Sequence, residues 1–159
     1  MSRPTIARLA VAAVVVVATV LAVRTISRDE PSDPGDPQAF CAQLDRLGGL
    51  VTAAEIGPED VSDVPAAQAL AEDIAVAAEA LRPLAPEDIA DDVRTLSGVT
   101  AALARDLRDF YGGIADDPSR ASDPAYLDSF EPVTEQRQKA VDAAGERIRP
   151  WVADHCGSE

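Results

Sequence analysis

Phe40, Leu44, Leu47, Val51 and Ala54 recur at intervals of three and four residues, the spacing that lines one face of an α-helix. Asp36-Pro37 opens this run as an N-cap followed by proline at the first helical position, and Gly57-Pro58 closes it. Gly48-Gly49 inside it reads as a weak spot or close helix contact, or alternatively as a hinge. A second stripe, Ala67, Leu70, Ile74, Ala77 and Leu81, predicts a helix from about Val64 to Arg82. Ser62 or Asp63 is its expected cap, and Pro83 and Pro86 separate it from the next.

The third run is the most regular. Ile89, Val93, Leu96, Thr100, Leu103, Leu107, Phe110 and Ile114 hold an unbroken a/d pattern after Pro86. Glu87 and Asp88 fall in its first turn, where the helix dipole favours acids. Gly112-Gly113 and Asp116-Asp117-Pro118 mark its end. Asp123-Pro124 then repeats the cap-plus-proline signature and opens a short turn through Tyr126, Leu127 and Phe130. Pro132 is expected to start the fourth helix, whose stripe is Val141, Ala144, Ile148 and Val152 with Trp151 on its flank and a kink at Pro150. No segment alternates as a strand does, and no internal repeat is present. The predicted fold is all-α, an antiparallel up-down four-helix bundle over residues 38–159.

The N-terminal residues have a different pattern. Leu9 to Val23 carries no charge and only Thr19 is polar, with Arg3 and Arg8 before it. This is the layout of an export signal or a membrane anchor. As a helix it rises about 22 Å, short of a hydrocarbon core of about 30 Å. Ile6 and Ile26 lengthen it if Arg8 and Arg24 snorkel to the interfaces. The best cleavage site, Val20-Leu21-Ala22 before Val23, lacks the polar break that usually precedes one. Residues 1–27 therefore read as an uncleaved single-pass anchor, with a cleaved signal as the alternative. Residues 28–37, "RDEPSDPGDP", hold three prolines and four acids and read as a self-repelling spacer.

Composition supports helices: aromatics are 4% of the chain, so the core is built from Leu, Ile, Val and much Ala, the best helix former. The net charge is −14, and from Asp29 onward 28 acids face 10 bases. A domain this acidic repels phosphate backbones, which argues against nucleic-acid binding. The positive-inside rule is nearly balanced across the apolar run, and the acidic domain together with the two cysteines places the C-terminal part outside the cytoplasm.

The chain ends in "VADHCGSE", with its one histidine, His155, beside Cys156. Neighbours on a helix diverge by about 100° and do not face each other, which disfavours a nucleophile and base. With an even number of antiparallel helices, Cys41 at the start of the first and Cys156 at the end of the last lie at one end, which predicts a disulfide. His155 alone cannot hold zinc or a di-iron pair. Asp88, Asp91 and Asp92 share a helix face and read as solvated, as do the paired acids elsewhere. The expectation is a chain with no catalytic, cofactor or metal residues and no cofactor.

The layout resembles that of small exported helical proteins of actinobacteria, with an export segment, a Pro/Asp-rich spacer and a cysteine near each end of the domain, here Cys41 and Cys156. Residue usage, with thirteen Arg and a single Lys, also resembles that of a high-GC genome. The resemblance implies no activity. The reading that follows is a membrane-tethered, non-catalytic module. It meets a protein partner in the envelope through a helix face or through the loop of Tyr126, Leu127 and Phe130. Binding of a small ligand, lipid or cation is the alternative.

Overall fold

The computed structural model describes residues 35–54, 57–58, 60–130 and 134–157. The expected anchor or signal and most of the spacer lie outside the described residues, as does Pro132. No helix among the described residues is long and apolar enough to cross a membrane.

All regular structure among the described residues is helical. The long helices are α1 (Pro37–Ala54), α2 (Val64–Ala80), α3 (Ala90–Asp116) and α5 (Glu135–His155); α4 (Pro124–Leu127) is a single turn. Tight 3₁₀ turns at Val61–Asp63, Arg82–Leu84, Glu87–Ile89 and Pro118–Ser122 join them. Asp36 accepts from the Gln38 N–H at 2.9 Å and Asp123 from the Ala125 N–H at 3.0 Å, so both cap-plus-proline signatures start helices. At the second helix Asp63 holds the N-cap position, as expected, but makes no side-chain bond into the helix. In the turn before it Asp60 accepts from the Ser62 N–H, and Asp63 accepts in return from the Asp60 N–H at 3.1 Å. This reciprocal capping box belongs to the 3₁₀ turn that leads into α2. Thr134 caps α5, and the helix continues through Pro150 to His155. The two glycines at 112 and 113 lie within α3, which runs on to Asp116.

Side-chain contacts join consecutive long helices, and two ion pairs fix α2 and α3 as antiparallel. Gln43, early in α1, donates to the carbonyl of Ala77, late in α2, at 2.9 Å. Glu79 pairs with Arg105, and Glu72 with Arg108 at 2.7 Å, so numbers fall along α2 as they rise along α3. Asp92, early in α3, takes a forked bond from Arg147, late in α5, at 2.6 to 3.0 Å. Cys41 and Cys156 lie at disulfide distance with their Cα atoms 5.5 Å apart.

The most extensive packing is between α2 and α3. Ala71, Ala75, Ala77 and Ala78 on one, with Ala101 and Ala104 on the other, are all buried; such small side chains let two backbones approach closely. The core has two parts. The one nearer the disulfide draws on all four long helices, including Phe40, Leu44, Leu96, Ile148 and Val152. The other holds Val64, Leu107, Phe110, Ile114, Leu127 and Phe130, with no buried residue from α1 or α5. Gly48 is buried inside α1, as a close contact requires, whereas Gly49 is exposed.

The 115-residue separation of the two cysteines sets the expected contribution of their bond. Closing a loop of that size removes entropy from the unfolded chain worth about 5 kcal/mol. The Cys41→Ser, Cys156→Ser double variant should therefore unfold at a markedly lower urea concentration. Reduction of the parent protein should lower the midpoint similarly, and intact mass before and after alkylation counts the thiols released.

Candidate functional site: an apolar cavity at the end remote from the disulfide

The helices that meet near Cys41 diverge in length at the other end. There α1 stops at Ala54 while α2 and α3 continue to face each other, and a cavity of about 240 Å³ lies between them. Ala53 and Ala54 close it from α1, and Gly57 and Pro58 from the following turn. Gly57 adopts a positive φ of 61°, a backbone state that glycine enters without cost. Ala67, Leu70, Ala71 and Ile74 of α2 and Leu107 of α3 give the wall its hydrocarbon surface. Small side chains along α2 create the space, since alanine stands where leucine would fill it.

Two lining groups are polar. Asp63 stands at the mouth, exposed, with one carboxylate oxygen engaged by the Asp60 N–H. Tyr111 is only 6% exposed. Burial pushes the Tyr111 phenol above the usual tyrosine range, because the phenolate would lose its hydration. Tyr111 escapes the a/d pattern because it lies one residue, about 100°, past Phe110. Its neighbour faces the other side of the helix and supports a different structure.

That structure is a strap formed by the 3₁₀ turn Pro118–Ser122, α4 and Phe130, which folds back on α3. Leu127 and Phe130 are buried and Tyr126 is half-buried. Tyr126 stacks on Phe110, with ring centroids 5.1 Å apart, and its hydroxyl donates to the Phe110 carbonyl at 2.8 Å. The Arg120 guanidinium lies 5.1 Å over the Tyr126 ring, an ordinary cation–π distance. Asp117 caps the strap: the Ser119 hydroxyl at 2.6 Å and backbone N–H at 3.1 Å hold its carboxyl below the usual carboxylate range. Gly113 is needed here, because a Cβ would run into the Tyr126 hydroxyl and the Arg120 guanidinium. The three side chains that the sequence offers to a partner are thus turned onto α3, since the far part of this helix has no long neighbour other than α2 to cover its apolar stripe.

The remaining sequence candidates separate. Cys156 joins Cys41, while His155 is exposed, stacked 4.2 Å from the Trp151 ring, with Nδ1 2.8 Å from the Trp151 carbonyl. Asp91 pairs with Arg94 and Asp92 with Arg147, so two of the three acids Asp88, Asp91 and Asp92 are engaged by arginines, while Asp88 lies exposed in the 3₁₀ turn before α3. Hydrogen bonding to Asp92, followed by its charge, raises the Arg147 pKa further above its ordinary value. No group of three or more potential metal ligands comes together among the described residues. Compared with protein-family models, curated proteins and solved structures, the chain matches none.

Two outcomes test this geometry. Gly113→Ala should cost about 1 to 3 kcal/mol, the usual effect of overpacking, read from urea unfolding. Tyr126→Phe in the same background should recover part of that loss by removing the obstructing hydroxyl. The second concerns pH. A folded-state pKa above the unfolded value means that the contribution of Tyr111 is complete below pH about 10. It is lost as pH rises through the folded pKa. Alkaline melting curves should therefore fall more steeply for the parent protein than for Tyr111→Phe.

Proposed function

We propose that the chain is a membrane-tethered module of the cell envelope. Its helical domain, an antiparallel up-down four-helix bundle closed by Cys41 and Cys156, stands outside the cytoplasm and binds a small apolar molecule without catalysing a reaction. The cavity between α1, α2 and α3 carries this reading. It is concave, lined almost wholly by hydrocarbon, and holds few polar groups, the usual make-up of a small-molecule site. An apolar cavity of about 150 Å³ is already enough for benzene, and this one is larger.

The apolar run before Arg24, the acidic domain behind it and the paired cysteines support the tether and the compartment. Contact with a protein partner through Tyr126, Leu127 and Phe130 has less support, since these side chains already cover Phe110. Among the described residues, Val76 is the large apolar side chain left exposed, which gives a helix face little with which to anchor a partner.

The test is binding of N-phenyl-1-naphthylamine, an uncharged apolar dye, to the full-length chain and to Ala67→Leu, in which a larger side chain occupies the cavity. The parent protein should enhance the dye's fluorescence and melt higher in its presence. At one hundred times Kd, mass action adds about 2.7 kcal/mol. Ala67→Leu should fold and show neither effect. Equal response by the two proteins would remove the cavity from consideration.

A further inference from the structure

Resting on the cavity-binding reading above, we propose that the ligand is a cationic amphiphile: a plain hydrocarbon tail fills the cavity, and an ammonium head stays in water at the mouth. The first observation concerns the tail. No buried side-chain nitrogen or oxygen among the described residues lacks a hydrogen-bond partner. The wall is built from alanines with Leu70, Ile74 and Leu107, so it offers a ligand hydrocarbon contact and no polar group in want of a partner. A polar atom carried inside would give up its water and gain nothing in return. The part of the ligand that enters is therefore unsubstituted hydrocarbon, and any polar group sits at one end and remains outside.

The second observation sets the sign of the head. Asp63, exposed at the mouth, is the one charged residue among the described residues that line the cavity. Asp60, also exposed, caps the same turn, which carries no base. α2 contributes the largest share of the wall and has no base, and the α3 bases that face it, Arg105 and Arg108, are paired with Glu79 and Glu72. An anionic head would thus meet like charge on a chain of net charge −14, with no base among the lining residues to receive it. A cationic head meets the opposite field, which raises its concentration near the mouth. Because the head stays in water, the tail supplies most of the affinity, and charge contributes a selectivity of a few-fold that salt screens.

The experiment is displacement of bound N-phenyl-1-naphthylamine from the full-length chain by octylammonium, 1-octanol, octanoate and 1,8-diaminooctane. Ala67→Leu supplies the background from partition of the probes elsewhere. At low salt octylammonium should compete about two- to fivefold better than octanol, and octanoate worse by a similar factor, the range of an exposed ion pair. Salt at about 1 M, where the Debye length falls to about 3 Å, should close that spread. The diamine has twice the charge but no free hydrocarbon end, and it should be at least about tenfold weaker than octylammonium. Asp63→Asn, whose amide oxygen can still accept from the Asp60 N–H, should narrow the spread between octylammonium and octanoate. The cationic amphiphile is ruled out, while cavity binding stands, by any of three results obtained with the dye bound above background. Octanol or octanoate matches octylammonium at low salt, salt or Asp63→Asn leaves the spread unchanged, or the diamine competes as well as the monoamine. If neither dye nor octylammonium binds the parent chain above the Ala67→Leu background, cavity binding itself has failed and the cationic amphiphile falls with it.

Discussion

The bond between Cys41 and Cys156 sets the register from which the rest of the molecule is measured. It holds the first turn of α1 against the last turn of α5, so those helices are aligned at one end and free to differ at the other. At 1.5 Å per residue, α1 and α2 are about 27 and 26 Å long, α5 about 32 Å and α3 about 40 Å. Helices of unequal length aligned at one end leave the longest uncovered at the other. Everything distinctive at the far end follows from that mismatch. The strap covers one side of the overhanging α3, and the cavity lies on the side where α1 has ended.

Charge sharpens the register without supplying much stability. Arg105 and Arg108 reach Glu79 and Glu72 across the α2–α3 contact, and Arg147 reaches Asp92 between α3 and α5. The α2–α3 pairs are about a third to a half exposed, where each is worth a fraction of a kcal/mol. Their effect is directional. The interface between α2 and α3 is mostly alanine, which fills space evenly and discriminates poorly between neighbouring registers. Arg105 and Arg108, which fit the spacing of Glu79 and Glu72, restore the discrimination. In a chain with few bases, placing three of them between helices leaves the outer surface strongly acidic.

The helix stripes were legible because burial acts on single positions at a fixed period. Ile89, Val93, Leu96, Thr100, Leu107, Phe110 and Ile114 are all buried, and Leu103 is half-buried. Cys41 and Cys156 were legible because they fall at the two ends of the helical domain. The Asp60 cap was missed, although an acid three residues ahead of Asp63 was its signal. The inward turn of Tyr126, Leu127 and Phe130 was not legible. It depends on the length by which α3 outruns its neighbours, and on Gly113 making room for a ring from outside the helix. The cavity was invisible for a deeper reason. Periodicity reports where side chains go, and a cavity is a volume that side chains leave. Tyr111 could be flagged only as an aromatic one step off the stripe.

That unfilled volume bears on what the fold is for. Removing packing from a closed core costs on the order of 24 cal/mol per Å³, so a sealed void of about 240 Å³ would approach 6 kcal/mol. This cavity opens to solvent, which lowers the cost, yet the alanines of α2 still forgo contacts that larger residues would make. The same chain stabilises its opposite end by covalent closure, an effect of similar size. Stability comes from the end where the helices are tied together, and the free end is left under-packed. Filling a cavity commonly stabilises a protein by about 0.5 to 2 kcal/mol, and the recurrent cost is function where a site must stay open. Tyr111 lines the cavity at that free end, where the fold leaves room between its helices.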